Sequence, residues 1–442
     1  MWLKSLHVEN FRGFEQLDVT FDEHVTLLVG GNGAGKTGVL EAIKVAFGSY
    51  FAGIDQSPDQ SIDEQHVRKV VHDINGVLDL AHQWPVKIRA SVSTDGHAWR
   101  RKLPLPGLPD ELAWERARLG RDGRTTWADD KAMRAFAADL QQGAQAGEHV
   151  HLPLVASYGT GRLWRQKKIT DNRLGIGTRF DGYTDWPDIA SSEQLLTWWM
   201  YDKRQIELDA RDHDPSASEP RLAAVTRAVS DCVEGVTRFW IDMRSKEIRV
   251  ERGGVVESFS MLSDGYRNMI ALVADIAQRA ATLNPQFGSA AARETSGLVL
   301  IDEVELHLHP KWQRDVIPSL RRAFPNMQFI ATTHSPQVLA SVSRGQVRLF
   351  EDNRLVDGAL HVEGRSSNEL LEDVFGVPAR PPATKAELDD LFRLIDDGAF
   401  DDARRRLTAL EARLGRDDGD IVRARWILES EAGVTPAPPI AS

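Results

Sequence analysis

A chain of 442 residues has room for about three domains, or for one large domain with insertions, and its 42% hydrophobic and 27% charged content excludes a collagen-like, low-complexity or wholly disordered protein. Lys and Arg number 54 against 65 Asp and Glu, so the net charge of −11 argues against a generally basic nucleic-acid binder and leaves only a local basic patch open. One cysteine, Cys232, rules out an internal disulfide and a cysteine-rich zinc site, and no apolar run nears the roughly 18 residues of a membrane-spanning helix.

The opening residues carry charge early and lack the apolar core of an export signal, so a cytoplasmic location is expected. Residues 1–30 read as strands: Leu17, Val19 and Phe21 alternate with polar neighbours, and Val25–Val29 is an apolar run that stops at glycines. Residues 37–47 have apolar side chains at helical spacing. Pro85–Ala90 and His97–Arg100 read as two strands joined by a turn at Thr94–Gly96, residues 104–130 as loop, 131–146 as helix, and Leu152–Ser157 as a core strand. Helices are expected at 191–210, where Ser191 and Gln194 fit a capping box, and at 219–234; neither has the sustained heptads of a coiled-coil arm. Two short strands around Arg252–Gly254 fill 237–259. Then come a helix at 265–282, a strand at 297–301, a helix at 310–323, a strand at 327–332 and a short helix at 336–342. Strand–helix alternation of this kind implies a mostly parallel sheet covered on both faces. Val377–Pro382 reads as a linker. Beyond it, 384–430 carry charge-rich helical patterns with i,i+4 pairs Asp401–Arg405 and Asp402–Arg406, and Gly433–Ser442 reads as disordered.

Gly30-Gly-Asn32-Gly33-Ala34-Gly35-Lys36-Thr37 fits G-x-x-x-x-G-K-[ST], placed between an apolar strand and a helix as phosphate binding requires. Glycines let backbone N–H groups wrap phosphate oxygens, Lys36 reaches the β- and γ-phosphates, and Thr37 offers its hydroxyl to Mg²⁺. Leu298–Ile301 ends in Asp302 and Glu303: the first suits Mg²⁺, the second orients or deprotonates an attacking water. Phe329–Thr333 ends at His334. Leu262-Ser263-Asp264-Gly265-Tyr266-Arg267 stands just before a helix.

In this order the motifs resemble the ABC-type ATPase heads of SMC, RecF and OLD-like (overcoming-lysogenization-defect) proteins. Asn10-Phe11-Arg12-Gly13-Phe14 is similar to their first-strand motif, Leu262–Arg267 to the LSGGQ signature, and Glu303–Pro310 to their Walker B and D-loop segment. Leu152–Trp164, Glu363–Leu371, Val374–Pro378 and Leu391–Gly415 are similar to a compact group of predicted ATP-binding proteins that includes the Septu-system ATPase PtuA and retron-associated ATPases. The resemblance spans about residues 1–430. It implies ATP and Mg²⁺ as cofactors, catalytic roles for Lys36, Glu303 and His334, a phosphate contact for Arg12, and Thr37 with Asp302 at the metal. Ser263, Asp264, Gly265 and Arg267 would act in trans on ATP held by a second copy. Asp264 replaces a glycine, which brings a carboxylate near the γ-phosphate and could slow hydrolysis, with Arg267 as an offset. No Q-loop glutamine is secure; Gln141, Gln142 and Gln166 are the candidates.

The expected fold is an α/β P-loop NTPase with an ABC-type head, a mixed sheet flanked by helices, a short helical lobe in place of a coiled coil, and a C-terminal helical module. Residues 1–185 form one ATPase lobe, 186–236 the helical lobe, 237–376 the second ATPase lobe, and 377–442 the linker and module. Glu305, His307 and His309 alternate and could form a metal site, although a D-loop role accounts for them without one. Arg162, Trp164, Arg165, Lys167 and Lys168 form a basic, aromatic cluster that suits either a solvated loop or a DNA or RNA backbone. Trp198 and Trp199 read as core or interface. After Val362–Gly364, no strand ends in D-x-D, which argues against an in-chain nuclease. The favoured function is an ATPase subunit of a bacterial anti-phage defence system, working as a homodimer or larger homo-oligomer that regulates an HNH-type nuclease. The alternatives are a RecF/SMC-like clamp that grips DNA directly and a slow nucleotide-binding scaffold.

Overall fold

The chain begins with an antiparallel hairpin, β1 (Trp2–Phe11) and β2 (Phe14–Thr20), whose turn at Arg12-Gly13 later forms one wall of the site. In the computed structural model, residues 1–54, 60–94, 110–126, 129–162, 178–190, 193–356, 362–378 and 380–431 are described. They fall into two compact units, Met1–Leu370 and Leu371–Ser442.

After the hairpin, β3 (Val25–Gly30) is buried at all its positions and delivers the glycine loop to α1 (Lys36–Phe51). A second hairpin, β4 (Lys69–Ile74) and β5 (Val77–His82), precedes β6 (Val86–Ser93) and β7 (Glu111–Arg118). Strands β2-β1-β6-β7 form one antiparallel sheet. It rests on α1: Trp114 Nε1 donates to the Ala46 carbonyl at 2.9 Å and Arg116 donates to the Val45 carbonyl at 2.7 Å. Next come α2 (Lys131–Gln145) and β8 (Leu154–Tyr158), then α3 (Glu193–Arg211) and α4 (Pro220–Cys232), whose buried end holds the free Cys232. A meander of β9 (Val236–Asp242), β10 (Glu247–Arg252) and β11 (Val255–Ser258) leads to the 20-residue α5 (Asp264–Leu283).

After the single turn α6 (Ala291–Glu294), the chain alternates β12 (Gly297–Ile301), α7 (Pro310–Ala323), β13 (Met327–Thr333), α8 (Pro336–Leu339), β14 (Val347–Glu351) and β15 (Arg354–Leu355), and the unit closes near α9 (Ser367–Phe375). The main sheet has the order β15-β14-β3-β13-β12-β8. All its pairs are parallel except β14 with β15. Strands β3, β8, β12 and β13 are buried throughout, as a sheet covered on both faces demands. The fold is the expected P-loop ATPase head with a mixed sheet flanked by helices. Among the described residues, no helix is long and apolar enough to cross a membrane.

The second unit is three helices, α10 (Pro382–Asp396), α11 (Phe400–Leu414) and α12 (Gly419–Glu431). They pack on one another around Leu388, Leu391, Ile395, Leu407, Leu410, Ile421 and Leu428. Trp426 stays 53% exposed.

Several expectations change. Glu111–Arg118 lies inside the segment expected as loop; its period-2 pattern is masked because Arg116 points inward and donates to the Val45 carbonyl of α1, so a charged residue occupies a core position. Residues 236–258 make three strands rather than two, because the extra turn ends at Lys246 with φ +56 and contains no glycine to announce it. On α11 the acidic residues pair at i,i+3, Asp401 with Arg404 and Asp402 with Arg405, while Arg406 turns toward Asp390. The strand expected at 97–100, the Ser191 cap and the 433–442 tail lie outside the described residues.

Candidate nucleotide site

Apart from the β1–β2 turn, each element of the site lies at a strand end on the main sheet. β3 ends at Gly30, and the loop turns through Gly33 at φ +79 and Gly35 at φ +102 before α1 begins. Gly35 has a second reason to lack a side chain: a Cβ there would stand 2.7 Å from the Phe14 ring. A cavity of about 380 Å³ opens over this loop. It is lined by Asn32–Gly38 from the loop and first helical turn, Arg12–Phe14 from the β1–β2 turn, Asp302 and Glu303 after β12, Thr332 and His334 around the end of β13, and Asn353 from the β14–β15 turn.

Lys36 is 6% exposed and donates to the Gly30 and Gly31 carbonyls at 2.8 and 2.7 Å. Burial lowers its pKa, while the carboxylates of Asp302, Glu303 and Glu305 work the other way. Thr37 Oγ1 lies 3.4 and 3.3 Å from the two Asp302 carboxylate oxygens. A hydroxyl and a carboxylate facing each other are hard oxygen donors of the kind Mg²⁺ takes, with waters completing the shell. Glu303 adopts φ +49, Arg12 φ +52 and Asn353 φ +59. Left-handed backbone at non-glycine residues costs about 1–3 kcal/mol each and persists where neighbours over-determine it. At Glu303 the neighbour is Thr332, whose hydroxyl oxygen accepts the Glu303 amide at 2.7 Å. His334 donates its backbone N–H to Glu305 Oε1 at 2.5 Å. Its imidazole pKa is lowered by burial first and by Lys36 second, against the pull of Glu305, Glu303 and Asp302.

The segment 263–267 lies elsewhere. Ser263 is the exposed N-cap of α5 and makes no side-chain cap bond. Gly265 is buried so closely that a Cβ would stand 2.9 Å from the His307 carbonyl. Arg267 lies 3.5 Å from both Asp264 and Glu193. None of Ser263, Asp264, Gly265 or Arg267 lines the cavity that Lys36 and Asp302 share.

Other residues depart from the sequence reading. Arg162 is not a solvated or nucleic-acid-facing cation: it is 1% exposed and donates to the Asp302 and Glu303 carbonyls at 2.8 and 3.0 Å. Trp164, Arg165, Gln166, Lys167 and Lys168 lie outside the described residues. Gln141 and Gln142 are on α2 and do not line the cavity, and the segment leaving β8 beside the Asp302 strand is Gly159-Thr160-Gly161, without glutamine. Glu305, His307 and His309 diverge: Glu305 holds the His334 amide, His307 is exposed, and His309 Nδ1 accepts the Lys311 amide at 3.3 Å as an N-cap. Thr332 and Asn353 carry no motif, and strand pairing brings them to the site.

Loop, carboxylates and histidine thus converge on adjacent parallel strands, and Ser263–Arg267 stand at a separate helix N-terminus. The chain is an ABC-type ATPase head of the SMC/RecF/OLD-like kind. Residues 166–340 match the profile of the family described as "AAA domain, putative AbiEii toxin, Type IV TA system", and residues 5–184 match that of an AAA domain. The Retron Ec83 probable ATPase of Escherichia coli is 25% identical, covering 96% of this chain and 86% of its own. The Retron Vc95 probable ATPase of Vibrio cholerae is 25% identical over 79% and 73%. The Septu protein PtuA of Bacillus mycoides is 40% identical over 23% of this chain and 14% of its own. An SMC head domain from Thermotoga maritima aligns with a TM-score of 0.43 at 14% identity, covering 81% of this chain and 100% of that one. For this head the ATPase-named relatives support nucleotide binding and ATP hydrolysis.

Proposed function

We propose that this ATPase head closes on a second copy around ATP and thereby governs a separate HNH-type nuclease in bacterial anti-phage defence. The observation that carries the reading is the separation of Ser263–Arg267 from the cavity of their own chain. An exposed helix N-terminus offers amides and positive potential to an anion, and here the suitable anion is the γ-phosphate held by a partner's loop. Amides of Gly30, Asn32, Gly33, Ala34 and Gly35 wrap the phosphates. Lys36 exchanges its loop carbonyls for the β- and γ-oxygens, and Arg12 approaches from the opposite wall. Thr37 and Asp302 hold Mg²⁺, which when bound neutralises charge on the phosphate oxygens. Glu303 orients or deprotonates the attacking water, and His334 contacts the γ-phosphate.

The retron and Septu relatives support the defence context. One finding favours a second reading, a RecF-like clamp on DNA: a RecF protein of Synechococcus is 28% identical over 42% of this chain and 48% of its own. Purification with the products of neighbouring genes separates the two. A co-eluting HNH nuclease supports defence; ATP-dependent retention of DNA by the head alone supports the clamp. Lys36→Ala should abolish ATP binding in calorimetry, and unchanged affinity sinks the phosphate-loop assignment. Glu303→Gln should keep ATP, lose about 100-fold or more in turnover and accumulate a larger assembly in light scattering. Turnover near wild type removes Glu303 from the chemistry.

A further inference from the structure

We propose that Arg162 is a positioning residue that fixes the Asp302–Glu303 turn and, through Asn268, ties it to the helix bearing Ser263 and Gly265 in the same chain. The inference rests on the reading of the cavity as an ATPase site closed by a second head.

Arg162 follows β8, the strand paired with the Asp302 strand, after the turn 159–161. Its guanidinium donates to four oxygens. Nη1 reaches the Asp302 carbonyl at 2.8 Å and the Gly159 carbonyl at 3.2 Å, Nη2 reaches the Glu303 carbonyl at 3.0 Å, and Nε reaches Asn268 Oδ1 at 3.2 Å. Asn268 is 3% exposed in the first turns of α5, and its Nδ2 donates to the Leu306 carbonyl at 2.6 Å. One guanidinium and one carboxamide therefore join three carbonyls of the loop 302–306 to the helix whose N-terminus carries the signature.

The planar fork is what the arrangement uses. An ammonium is a single point, and it cannot meet diverging carbonyls and an amide oxygen in one plane. The guanidinium itself does not line the cavity, so it acts on ATP only through the groups it holds. A shift of the Glu303 backbone in one head is transmitted along this path to the signature that the same head presents to its partner. The two sites of a closed pair are then coupled without a shared ligand.

Arg162→Lys keeps the charge and removes the fork. With ATP affinity within about threefold of wild type, turnover should fall about 100-fold, as expected when a reacting group is misplaced by a fraction of an ångström to an ångström. Asn268→Ala should lower turnover less, and the double variant should lose little beyond Arg162→Lys, because both break one path. The coupling is read in mixed dimers. Ser263→Arg on one chain and Lys36→Ala on the other leave a single complete site. Adding Arg162→Lys to the Lys36→Ala chain alters only the head that donates its signature, and turnover should drop at least about threefold, beyond the usual scatter of additivity. If turnover ignores Arg162→Lys on either chain while only the melting temperature falls, Arg162 is merely structural and the proposal is overturned. If the parental mixture is inactive in a demonstrably mixed dimer, the two-headed reading itself fails, and the coupling fails with it.

Discussion

Thr332 stands one strand over from Asp302 and donates its hydroxyl to that carboxylate at 2.6 Å. The same oxygen accepts the Glu303 amide, so one buried hydroxyl sets both acidic residues. Thr332→Val keeps the β-branch and removes both bonds. It leaves a partly buried amide unsatisfied, a cost of about 1–3 kcal/mol, so the melting temperature should fall by several degrees. The freed Asp302 should also hold Mg²⁺ less well, and titration should show half-saturation of ATP binding at a several-fold higher Mg²⁺ concentration. Thr332→Ser restores the hydroxyl and should restore the Mg²⁺ requirement. A Val variant with wild-type Mg²⁺ dependence would show that Asp302 needs no such hold.

Ser263→Arg should leave ATP binding intact and block closure, since the exposed cap of α5 would carry a bulky cation where phosphate must approach. Mixed with Lys36→Ala, each heterodimer retains one complete site. Recovery of up to about half the wild-type turnover per dimer is expected if the signature acts in trans.

The environment of His334 gives a pH dependence with a defined sign. Burial and Lys36 hold its imidazole below the ordinary 6.5. Above that value the ring is neutral in folded and unfolded chains alike. Below it the unfolded chain takes the proton first, so this residue makes stability fall as the pH drops from 6.5 toward the folded-state pKa. Wild type should therefore lose melting temperature more steeply than His334→Gln between pH 6.5 and 5. Parallel slopes would place the imidazole in ordinary solvent.

The helices of 382–431 share a core of their own. Deleting the chain after Pro382 should leave ATP affinity within about threefold of wild type, a change below 1 kcal/mol, and should weaken oligomerisation or retention of a nuclease. Joint loss of solubility and ATP binding would instead assign the module to folding of the head. A truncated chain that is fully active and correctly assembled would refute its role in assembly.

What the sequence made legible follows a physical rule. The glycine loop, Asp302-Glu303 and His334 lie at ends of apolar runs, so strand, breaker and chemistry are contiguous in the chain. The β14–β15 turn that supplies Asn353 is short and polar, and it becomes part of the site only because β14 pairs with β3. Arg162 and Arg116 mislead for another reason. Both are cations whose burial is compensated by backbone carbonyls, and a carbonyl has no letter in the sequence. The sequence of β7 resembles loop for this reason, and the sole described cation of a basic cluster proves to be an interior strut. The hairpin β4–β5 exposes Val71, Ile74, Val77, Leu78 and Leu80, so it lacks the buried face whose alternation would have revealed it.

Cys232 is buried at the end of α4, and burial pushes its thiol pKa up to about 12. At neutral pH almost none of it is thiolate, the form that reacts with maleimides and disulfides. For labelling, the native protein is thus close to a cysteine-free background. Met261, 79% exposed two residues before Ser263, offers a place for a new thiol at the rim of the signature. A spin label or fluorophore on Met261→Cys would test whether two heads pair when ATP is added, with the native cysteine left in place.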